Sequence, residues 1–408
     1  MREHVNNPGS NLRVMSGMRP TGALHLGHYH GVLKNWLKLQ NEYQCFFAVA
    51  DWHALTTHYE DPQDIQKNVW DMVIDWLAVG IDPGKAVLSI QSRVPEIAEL
   101  HLLMSMVTPL GWLERVPTYK EQKEKLKDRD LSTYGFLGYP LLMTADILVV
   151  NADLVPVGED QLPHLEISRE LARRFNHLFG NEPGFKERAE AAAKKLGAKQ
   201  AKLYNELRRQ YTEQGDESAL ERVRVLVTES RNLTKGDQER LLGHLAGTGR
   251  TILHEPQALL TETPKVTGLD GQKMSKSYGN TISLREAPES VEKKMRTMPT
   301  DPARVRRSDP GNPEKCPVWD FHKMYSDEDT RKWVWEGCTT AGIGCIDCKM
   351  SVIRKVQEEL APIRERAAEY EANPERVRAI MVEGSEAARS VAKETLEEVR
   401  QAIGINYR

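Results

Sequence analysis

The sequence predicts an α/β protein: a doubly wound, Rossmann-type parallel sheet followed by an all-helical C-terminal domain. Short apolar strands alternate with helical periodicity over residues 12–91, and helical patterns dominate after residue 301. A glycine-containing turn separates the first strand from the first helix. Alternation of strand and helix is typical of a parallel sheet with helices on both faces.

The first strand is predicted over residues 12–17 and ends at Gly17. The next residues have the chemistry of a turn, because proline and glycine interrupt regular structure. They are Arg19, Pro20, Thr21 and Gly22. From about Ala23, apolar residues recur at spacings of three and four, which predicts a helix.

An H-x-G-H motif occupies residues 25–28. It places His25 and His28 in or near the first turn of a helix that follows a strand, where free backbone N–H groups attract phosphate. Gly27 lacks a β-carbon, so a flat ring can approach the backbone closely. Both imidazoles can donate hydrogen bonds to phosphate oxygens. The alternative is a helix start with two surface histidines.

A second motif, K-M-S-K-S, follows far along the chain. It consists of Lys273, Met274, Ser275, Lys276 and Ser277, flanked by glycine and small polar residues. This composition predicts a mobile loop. Its two lysines can supply charge to a triphosphate as the bond between the α and β phosphates breaks. The alternative is a solvated basic loop.

Further strands are predicted over residues 45–51 and 87–91, with a helix over 63–79 between them. Ligands of parallel sheets bind beyond the carboxyl ends of the strands. Gly17, His53 and Gln91 lie at such ends, either as ligand-binding residues or as ordinary loop residues.

Asp146 is an acid within an otherwise apolar predicted helix. A buried carboxylate is costly unless it is paired or hydrogen-bonded. It either forms an ion pair with a core arginine or accepts a hydrogen bond from a substrate. The segment Gly158–Gln161 then opens a new helix, whose N–H groups and short side chains can hold a ribose.

Composition sets the broad class. Hydrophobic residues make up 40% and charged residues 28% of the chain, as in ordinary globular proteins. No apolar run reaches membrane-spanning length, and the polar N-terminus does not resemble a signal peptide, so we expect a cytoplasmic protein without membrane contact. A net charge of −3 does not exclude nucleic-acid binding through local basic patches.

Five cysteines are present, and four of them cluster toward the C-terminus. Cys45 lies in an apolar strand and is interpreted as a packed thiol. Four gathered cysteines in a cytosolic protein favour a metal over disulfides. They are Cys316, Cys338, Cys345 and Cys348. Their spacing leaves zinc, an iron–sulfur cluster and unligated thiols open.

The two motifs, in this order, match the ATP-handling signatures of class I aminoacyl-tRNA synthetases. The chain resembles the bacterial tryptophanyl-tRNA synthetases from residue 12 to about 180 and from 262 to the end. The resemblance also rests on the segments Ser16–Gly22, Ala50–Thr56 and Gly158–Gln161.

That resemblance implies an enzyme that activates tryptophan with Mg-ATP and transfers it to tRNA(Trp). His25, His28, Lys273 and Lys276 would stabilise the charge of the reacting phosphates. The residues implied to bind ATP are Arg19, Pro20, Thr21, Gly27, His28, Gly158, Glu159, Asp160, Val266 and residues 273–277. Arg19 stands where some family members carry glutamine.

The resemblance likewise implies the tryptophan site. Asp146 would accept the indole N–H while Met143 packs on the ring. Tyr139 and Gln161 would hold the α-ammonium group, and Gly17 and His53 complete the site.

A subset of these synthetases carries a [4Fe–4S] cluster on four such cysteines in the tRNA-binding C-terminal domain. The resemblance implies that cluster here, with Zn²⁺ as the alternative. It also implies a symmetric homodimer. Three rival functions are a tyrosyl-tRNA synthetase, a small nucleotidyltransferase and a non-catalytic RNA-binding paralogue.

Domain boundaries complete the prediction. The catalytic domain is expected over 1–180 and 259–300, and the helical anticodon-binding domain over 301–408. Compact family members lack residues 181–258, whose composition predicts amphipathic helix over Phe185–Gln214. We expect a solvated helical hairpin, with a tRNA or partner contact as the alternative. After residue 301, helices are expected over 327–338, 349–371, 374–383 and 385–402.

Overall fold

Five parallel strands form one sheet in the order β3-β2-β1-β4-β5. They are β1 (Arg13–Met18), β2 (Gln44–Val49), β3 (Ala86–Ile90), β4 (Leu154–Val157) and β5 (Gln257–Leu260). The structure is a computed structural model and describes residues 11–116, 132–158, 161–180, 184–214, 216–246, 249–260 and 266–407. The chain runs outward from β1 to β3 and then returns to β4 on the other side of β1. The switch between β1 and β4 opens a crevice at the carboxyl ends, where doubly wound sheets bind ligands.

Residues that alternate along the strands fill two separate cores. Val14 and Phe47 are buried with Trp36 and Trp76 in one core, whereas Met15 and Phe46 belong to the other. Because successive strand residues point to opposite faces, the two cores lie on opposite sides of the sheet. This confirms the predicted sheet with helices on both faces.

Within the described ranges, nine helices and one π-helical turn precede the insertion, and the ends of most predicted elements match to within one or two residues. They are α1 (Leu26–His28), a π-helical turn (Tyr29–Leu33), α2 (Lys34–Leu39), α3 (Asp51–His58), α4 (Ile65–Val79), α5 (Glu96–Ser105), α6 (Leu110–Glu114), α7 (Tyr134–Leu137), α8 (Tyr139–Val149) and α9 (Leu162–Phe179). None of the helices in the described ranges has the length and apolar character to cross a membrane.

Four helices form a separate unit between β4 and β5. They are α10 (Phe185–Lys195), α11 (Ala198–Gln214), α12 (Glu217–Thr228) and α13 (Lys235–Ala246). Tyr204 and Val223 are fully buried in a core whose described members all lie in these helices and their connecting segments. The expected helix over 185–214 is interrupted at Gly197, whose φ of 84° ends α10 in the left-handed region. The unit is therefore a four-helix subdomain rather than a hairpin.

The C-terminal region is helical, as predicted. Its helices are α14 (Pro288–Arg296), α15 (Pro317–Tyr325), α16 (Glu328–Thr339), α17 (Cys345–Glu371) and α18 (Pro374–Ile403). Helix α17 begins four residues earlier than expected and packs on α4.

The expected break at residue 384 is wrong, because α18 continues through Gly384. A β-carbon at Gly384 would lie 2.0 Å from the carbonyl oxygen of Leu88 in β3. The glycine therefore allows the helix to lie directly on a strand of the sheet. Close packing, not a helix end, explains this residue.

Candidate active site

A cavity of about 530 Å³ opens at the carboxyl ends of β1, β2 and β4. It lies at the topological switch point, as expected for this class of sheet. At its floor, a β-carbon on Gly17 would stand 2.9 Å from the Ala48 carbonyl oxygen, so only glycine fits there. Predicted site residues that line the cavity are Gly17, Arg19, His53, Tyr139, Met143, Asp146, Gly158, Gln161 and Lys273.

Helix α8 presents one face to this cavity. Tyr139, Met143 and Asp146 follow one another at spacings of four and three, which aligns them on one side of a helix. The Tyr139 hydroxyl lies 3.3 Å from Nε2 of His164 in α9. Gln161 precedes α9 as its N-terminal cap residue. The structure thus brings together the residues that the sequence assigned to tryptophan.

The Asp146 carboxylate is buried, with 7% of the residue exposed. Gln91 donates from Nε2 to both of its oxygens, at 2.8 and 2.9 Å. His53 Nε2 lies 3.1 Å from Oδ2 and donates to it, because an ionised carboxylate can only accept. The partners that hold this acid are thus an amide and an imidazole. Among the described residues no arginine forms the ion pair with Asp146 that the sequence left as an alternative.

The H-x-G-H motif forms the start of α1. His25 is the N-cap residue, and its Nδ1 accepts a hydrogen bond from the Gly27 N–H at 3.1 Å. His28 Nδ1 accepts from the His25 N–H at 3.3 Å. A β-carbon on Gly27 would stand 2.8 Å from the His25 ring, so glycine makes room for this fold-back of the imidazole. Both histidines lie in the first turn, as predicted.

Burial and nearby charged groups determine the protonation state of the His25 and His28 rings. Burial, together with nearby Lys276, lowers the pKa of His25 to about 4. Burial, then His25 and Lys276, lowers the pKa of His28 to about 3. Each ring is therefore neutral at pH 7 with Nδ1 as the acceptor, which leaves the proton on Nε2. Two neutral N–H donors thus project from the first turn.

The K-M-S-K-S segment lies beside the first motif. The Met274 side chain is buried and lies against Gly27, and the Met274 N–H donates to the Val266 carbonyl at 2.8 Å. Lys276 Nζ donates to the Gly22 carbonyl at 2.7 Å. Burial lowers the pKa of Lys276 to about 8, although Asp75 opposes this shift.

A short antiparallel ladder joins the flanks of the two motifs. The Leu26 N–H donates to the Ile282 carbonyl at 3.0 Å, and the Leu284 N–H donates to the Leu24 carbonyl at 3.0 Å. The two motifs, far apart in sequence, are therefore held together by backbone hydrogen bonds as well as by the contact of Lys276 with Gly22.

The remaining predicted ATP residues lie around this region or outside the described ranges. Pro20 and Thr21 form the turn after β1, with a hydrogen bond from the Thr21 N–H to the Arg19 carbonyl. Arg19 donates from Nη2 to the Thr57 hydroxyl at 2.6 Å. Glu159, Asp160 and the Ser277 side chain lie outside what the structure describes.

The helix after the first motif is anchored to the C-terminal region. Lys34 Nζ and His30 Nε2 lie 2.8 and 3.1 Å from the carboxylate of Glu359 in α17. The Tyr325 hydroxyl contacts His30 at 2.8 Å. Burial acts to raise the pKa of Glu359, but His30 and Lys34 more than offset it and hold the pKa at about 2.

The four clustered cysteines lie at helix ends that converge. Cys316 caps α15, Cys338 is near the end of α16, and Cys345 and Cys348 are in the first turn of α17. Cys316 and Cys348 pack on the same small apolar core, formed by Trp319, Val334 and Ile343. Burial raises the pKa of the Cys348 thiol to about 12, and the other three cysteines add to this rise.

Two basic groups contact these sulfurs. His322 Nε2 lies 3.3 Å from Cys348 Sγ, and Arg304 Nη1 lies 3.8 Å from Cys338 Sγ. Among the described residues, no group of three or more His, Cys, Asp or Glu side chains is arranged to hold a single metal ion. Cys45, by contrast, is fully packed in β2 with a pKa raised by burial to about 12, which confirms its interpretation as a core thiol.

Two buried polar residues have roles that the sequence pattern does not predict. The pattern places Gln91 at a strand end, as a ligand-binding or an ordinary loop residue, without predicting its contact with Asp146, and it gives no prediction for Asp75. Asp75 is 1% exposed within the apolar helix α4 and accepts from the Leu24 N–H and from Arg285 Nε. An acid inside an apolar helical stretch is the signal that identified Asp146, and it would have found Asp75 as well.

The fold and the paired motifs together define a class I aminoacyl-tRNA synthetase, and comparison with known proteins agrees. The family "tRNA synthetases class I (W and Y)" matches residues 7–197 and 233–361. The tryptophan–tRNA ligase of Ralstonia nicotianae is 65% identical over 395 residues, covering 97% of this chain and 99% of the relative. That of Thermotoga maritima is 44% identical and covers 97% and 100%.

A solved structure supports the same conclusion. The tryptophanyl-tRNA synthetase of Campylobacter jejuni, crystallised with ADP and tryptophan, is 28% identical and superposes with a TM-score of 0.72. The match covers 96% of this chain and 100% of that one. The chain belongs to the tryptophan–tRNA ligases of this class I family.

Proposed function

We propose that this chain activates L-tryptophan with ATP and transfers it to the 3′ end of tRNA(Trp). The tryptophan carboxylate attacks the α-phosphorus of Mg-ATP, and pyrophosphate leaves. A hydroxyl of the terminal tRNA adenosine then attacks the adenylate carbonyl and releases AMP. Neither step needs a covalent bond to the protein, so catalysis consists of orientation and charge stabilisation.

The observation that carries this proposal is the buried Asp146 carboxylate on the wall of a cavity that apolar residues such as Met143, Ile147 and Leu165 also line. The indole N–H can only donate a hydrogen bond, so an indole buried in this cavity needs an acceptor beside its nitrogen. Met143 lies one turn before Asp146 and offers a flexible apolar contact to the ring. Tyr139, a further turn back, and Gln161 at the start of α9 are placed to meet the polar end of the amino acid.

The geometry of the ATP motifs supports their roles in the first step. The neutral Nε2–H groups of His25 and His28 can donate to phosphate oxygens without a change of protonation. Lys273 lines the cavity and Lys276 lies beside the first motif, so both can approach the departing pyrophosphate. Positive charge there stabilises the transition state, because negative charge accumulates on the leaving oxygens.

The direct test is amino-acid-dependent exchange between ATP and pyrophosphate, measured with each of the twenty amino acids. We expect exchange with tryptophan and at least a hundredfold less with tyrosine or phenylalanine. A Lys276→Ala variant is the matched control and should lose exchange with every amino acid. Exchange with tyrosine but not tryptophan, or no exchange, would overturn the proposal.

The four C-terminal cysteines are proposed to hold a [4Fe–4S] cluster. The Arg304 guanidinium donates to Cys338 Sγ, a contact that suits a thiolate ligating a metal centre. The four cysteines lie close enough together for Cys316, Cys338 and Cys345 each to raise the pKa of Cys348, and four cysteines are the usual ligand set of a [4Fe–4S] cluster. When bound, the cluster would tie the ends of α15, α16 and α17 together.

Anaerobic purification tests this assignment. We expect brown protein with four irons and four sulfides per chain, and a Cys345→Ala variant that loses both colour and iron. A Cys45→Ala variant is the control and should keep both, because that thiol is packed in the sheet. Colourless protein with one zinc per chain would contradict the cluster.

A homodimer is proposed on the basis of an exposed apolar surface on α5 and its neighbours. Leu102, Met106, Leu110 and Tyr134 are 55%, 71%, 59% and 66% exposed. Contiguous apolar patches on soluble proteins mark interaction sites. Sedimentation velocity should show a dimer that Met106→Glu dissociates, whereas Val225→Glu on the insertion leaves it intact. A monomeric parent chain would refute this assembly.

Exposed basic residues near the cysteines are proposed to contact tRNA phosphates. Arg306, Arg307, Arg354 and Lys355 are exposed. Two neighbouring basic residues, Arg304 and Lys349, are buried, and Lys349 Nζ donates to the carbonyls of residues 296 and 298, so these two stabilise the domain instead. An Arg306→Glu/Arg307→Glu variant should lose aminoacylation and keep pyrophosphate exchange. An equal loss of both activities would contradict the assignment.

The insertion is proposed to be dispensable for adenylate formation. Its helices share their own core, and the family match skips residues 198–232 within it. Replacing residues 185–246 by a short linker should leave pyrophosphate exchange unchanged. Unchanged aminoacylation would indicate a solvated subdomain, and loss of aminoacylation alone would indicate a tRNA contact. Loss of exchange would refute its dispensability.

A further inference from the structure

Gln91 lies directly behind the residue that is proposed to read the indole N–H. It follows β3 as the first residue of a short 3₁₀ turn and is fully buried. It does not line the cavity, so it cannot touch a bound amino acid. Its only route to the substrate runs through its neighbours, Asp146 and His53.

The amide of Gln91 is fixed in one orientation. Its Oε1 accepts a hydrogen bond from the His53 N–H at 3.3 Å, so its NH₂ group must face the other way. There it meets both oxygens of Asp146, at 2.8 and 2.9 Å. One side chain thus holds the carboxylate of Asp146 and the backbone of His53 together.

The acceptor capacity of Asp146 explains what this achieves. A carboxylate has two oxygens and about four lone-pair sites. Gln91 uses one site on each oxygen and His53 uses one on Oδ2. A single site, on Oδ1, is then left for a further donor. The arrangement sets the rotation of the carboxylate and so the direction from which an N–H can be accepted.

We infer that Gln91 is a positioning residue for tryptophan selection: it aims the Asp146 carboxylate at the indole N–H. This inference rests on the proposed role of Asp146 in tryptophan binding. Without the amide, the carboxylate keeps its position on α8 but can rotate and follow His53. A site built around one buried hydrogen bond loses discrimination when the acceptor is misdirected.

The test compares tryptophan with β-(3-benzothienyl)-L-alanine, in which sulfur replaces the indole N–H and the ring keeps its shape. Pyrophosphate exchange gives kcat and KM for both substrates. In Gln91→Met, which keeps the volume and removes the amide, the KM for tryptophan should rise roughly tenfold or more. The KM for the analogue and the kcat for both substrates should change less than threefold. The ratio of kcat/KM for tryptophan to kcat/KM for the analogue should therefore fall.

Gln91→Glu is the second variant. It retains an acceptor for the His53 N–H but brings a second carboxyl group against Asp146, and two carboxylates so close cannot both stay ionised. We expect the KM for tryptophan to become pH-dependent between pH 5 and 8, with no such dependence for the analogue. If Gln91→Met does not fold, this profile alone decides the inference.

Two further variants separate the possible failures. Thr144→Val removes a buried hydroxyl on the same helix, which bonds to Ser168 rather than to Asp146, and should affect both substrates equally. Asp146→Asn tests the underlying role: if it leaves the preference for tryptophan over the analogue intact, the proposed indole contact fails. If Asp146→Asn abolishes that preference while both Gln91 variants retain it, the inference about Gln91 alone is overturned.

Discussion

The pKa of Lys276 predicts an alkaline limit to ATP use. Burial lowers this pKa from 10.5 to about 8. At pH 7 roughly ten of eleven such lysines carry a charge, and at pH 9 roughly one in eleven does. Because the charged form is the one that can meet the phosphates, kcat/KM for ATP should fall about tenfold between these pH values.

The assay is pyrophosphate exchange at subsaturating ATP and saturating tryptophan, from pH 6.5 to 9.5, since kcat/KM reports groups of the free enzyme. Lys276→Arg should lower the rate at pH 7 through altered geometry. It should also remove the fall of kcat/KM between pH 7 and 9, because arginine stays charged throughout this range. Lys273→Arg is the matched control and should keep the decline. An identical decline in Lys276→Arg, or none in the parent enzyme up to pH 9, would refute the reasoning.

Two further predictions concern stability. Gly384→Ala should lower the thermal unfolding midpoint by several degrees, since its β-carbon would meet the Leu88 carbonyl oxygen at 2.0 Å. Gly111→Ala is the control: a β-carbon there has no neighbour within 4 Å, so the midpoint should stay unchanged or rise slightly. Glu359→Gln should lower the midpoint at pH 7, where the charged carboxylate stabilises the fold. Because the folded pKa is about 2 and the ordinary one 4.5, the difference from the parent should persist above pH 4.5 and narrow as the pH falls toward 2.

Local sequence patterns were sufficient to predict most strands and helices of the sheet domain. The strand at residues 44–49 is a run of apolar residues buried on both faces, and such runs are characteristic of parallel sheets. The H-x-G-H motif specified its own helix start, because His25 caps the turn that contains it. The face of α8 that meets the cavity followed from helical spacing alone.

Sequence could not predict features that depend on contact between distant segments. Asp146 was visible as a buried acid, but its partners lie 55 and 93 residues away. The role of Gly384 was hidden because a glycine inside a helical pattern has the same local signature whether it ends a helix or allows close packing. Nor could local pattern show that residues 185–246 bury a core of their own, since that requires four amphipathic helices to meet.

Asp75 shows how such distant contacts bring the two motifs together. Its carboxylate accepts from the Leu24 N–H, just before the first motif, and from Arg285 Nε, just after the second. Arg285 also reaches Glu371 at the end of α17. Removing one partner of a buried ion pair costs more than the pair contributes, because the remaining charge is left without compensation in a low-dielectric interior. Arg285 therefore cannot leave Asp75 without that penalty, and the Leu24 N–H would lose a buried acceptor. The relative position of the two motif flanks thus depends on Asp75, which is not among the residues that line the cavity.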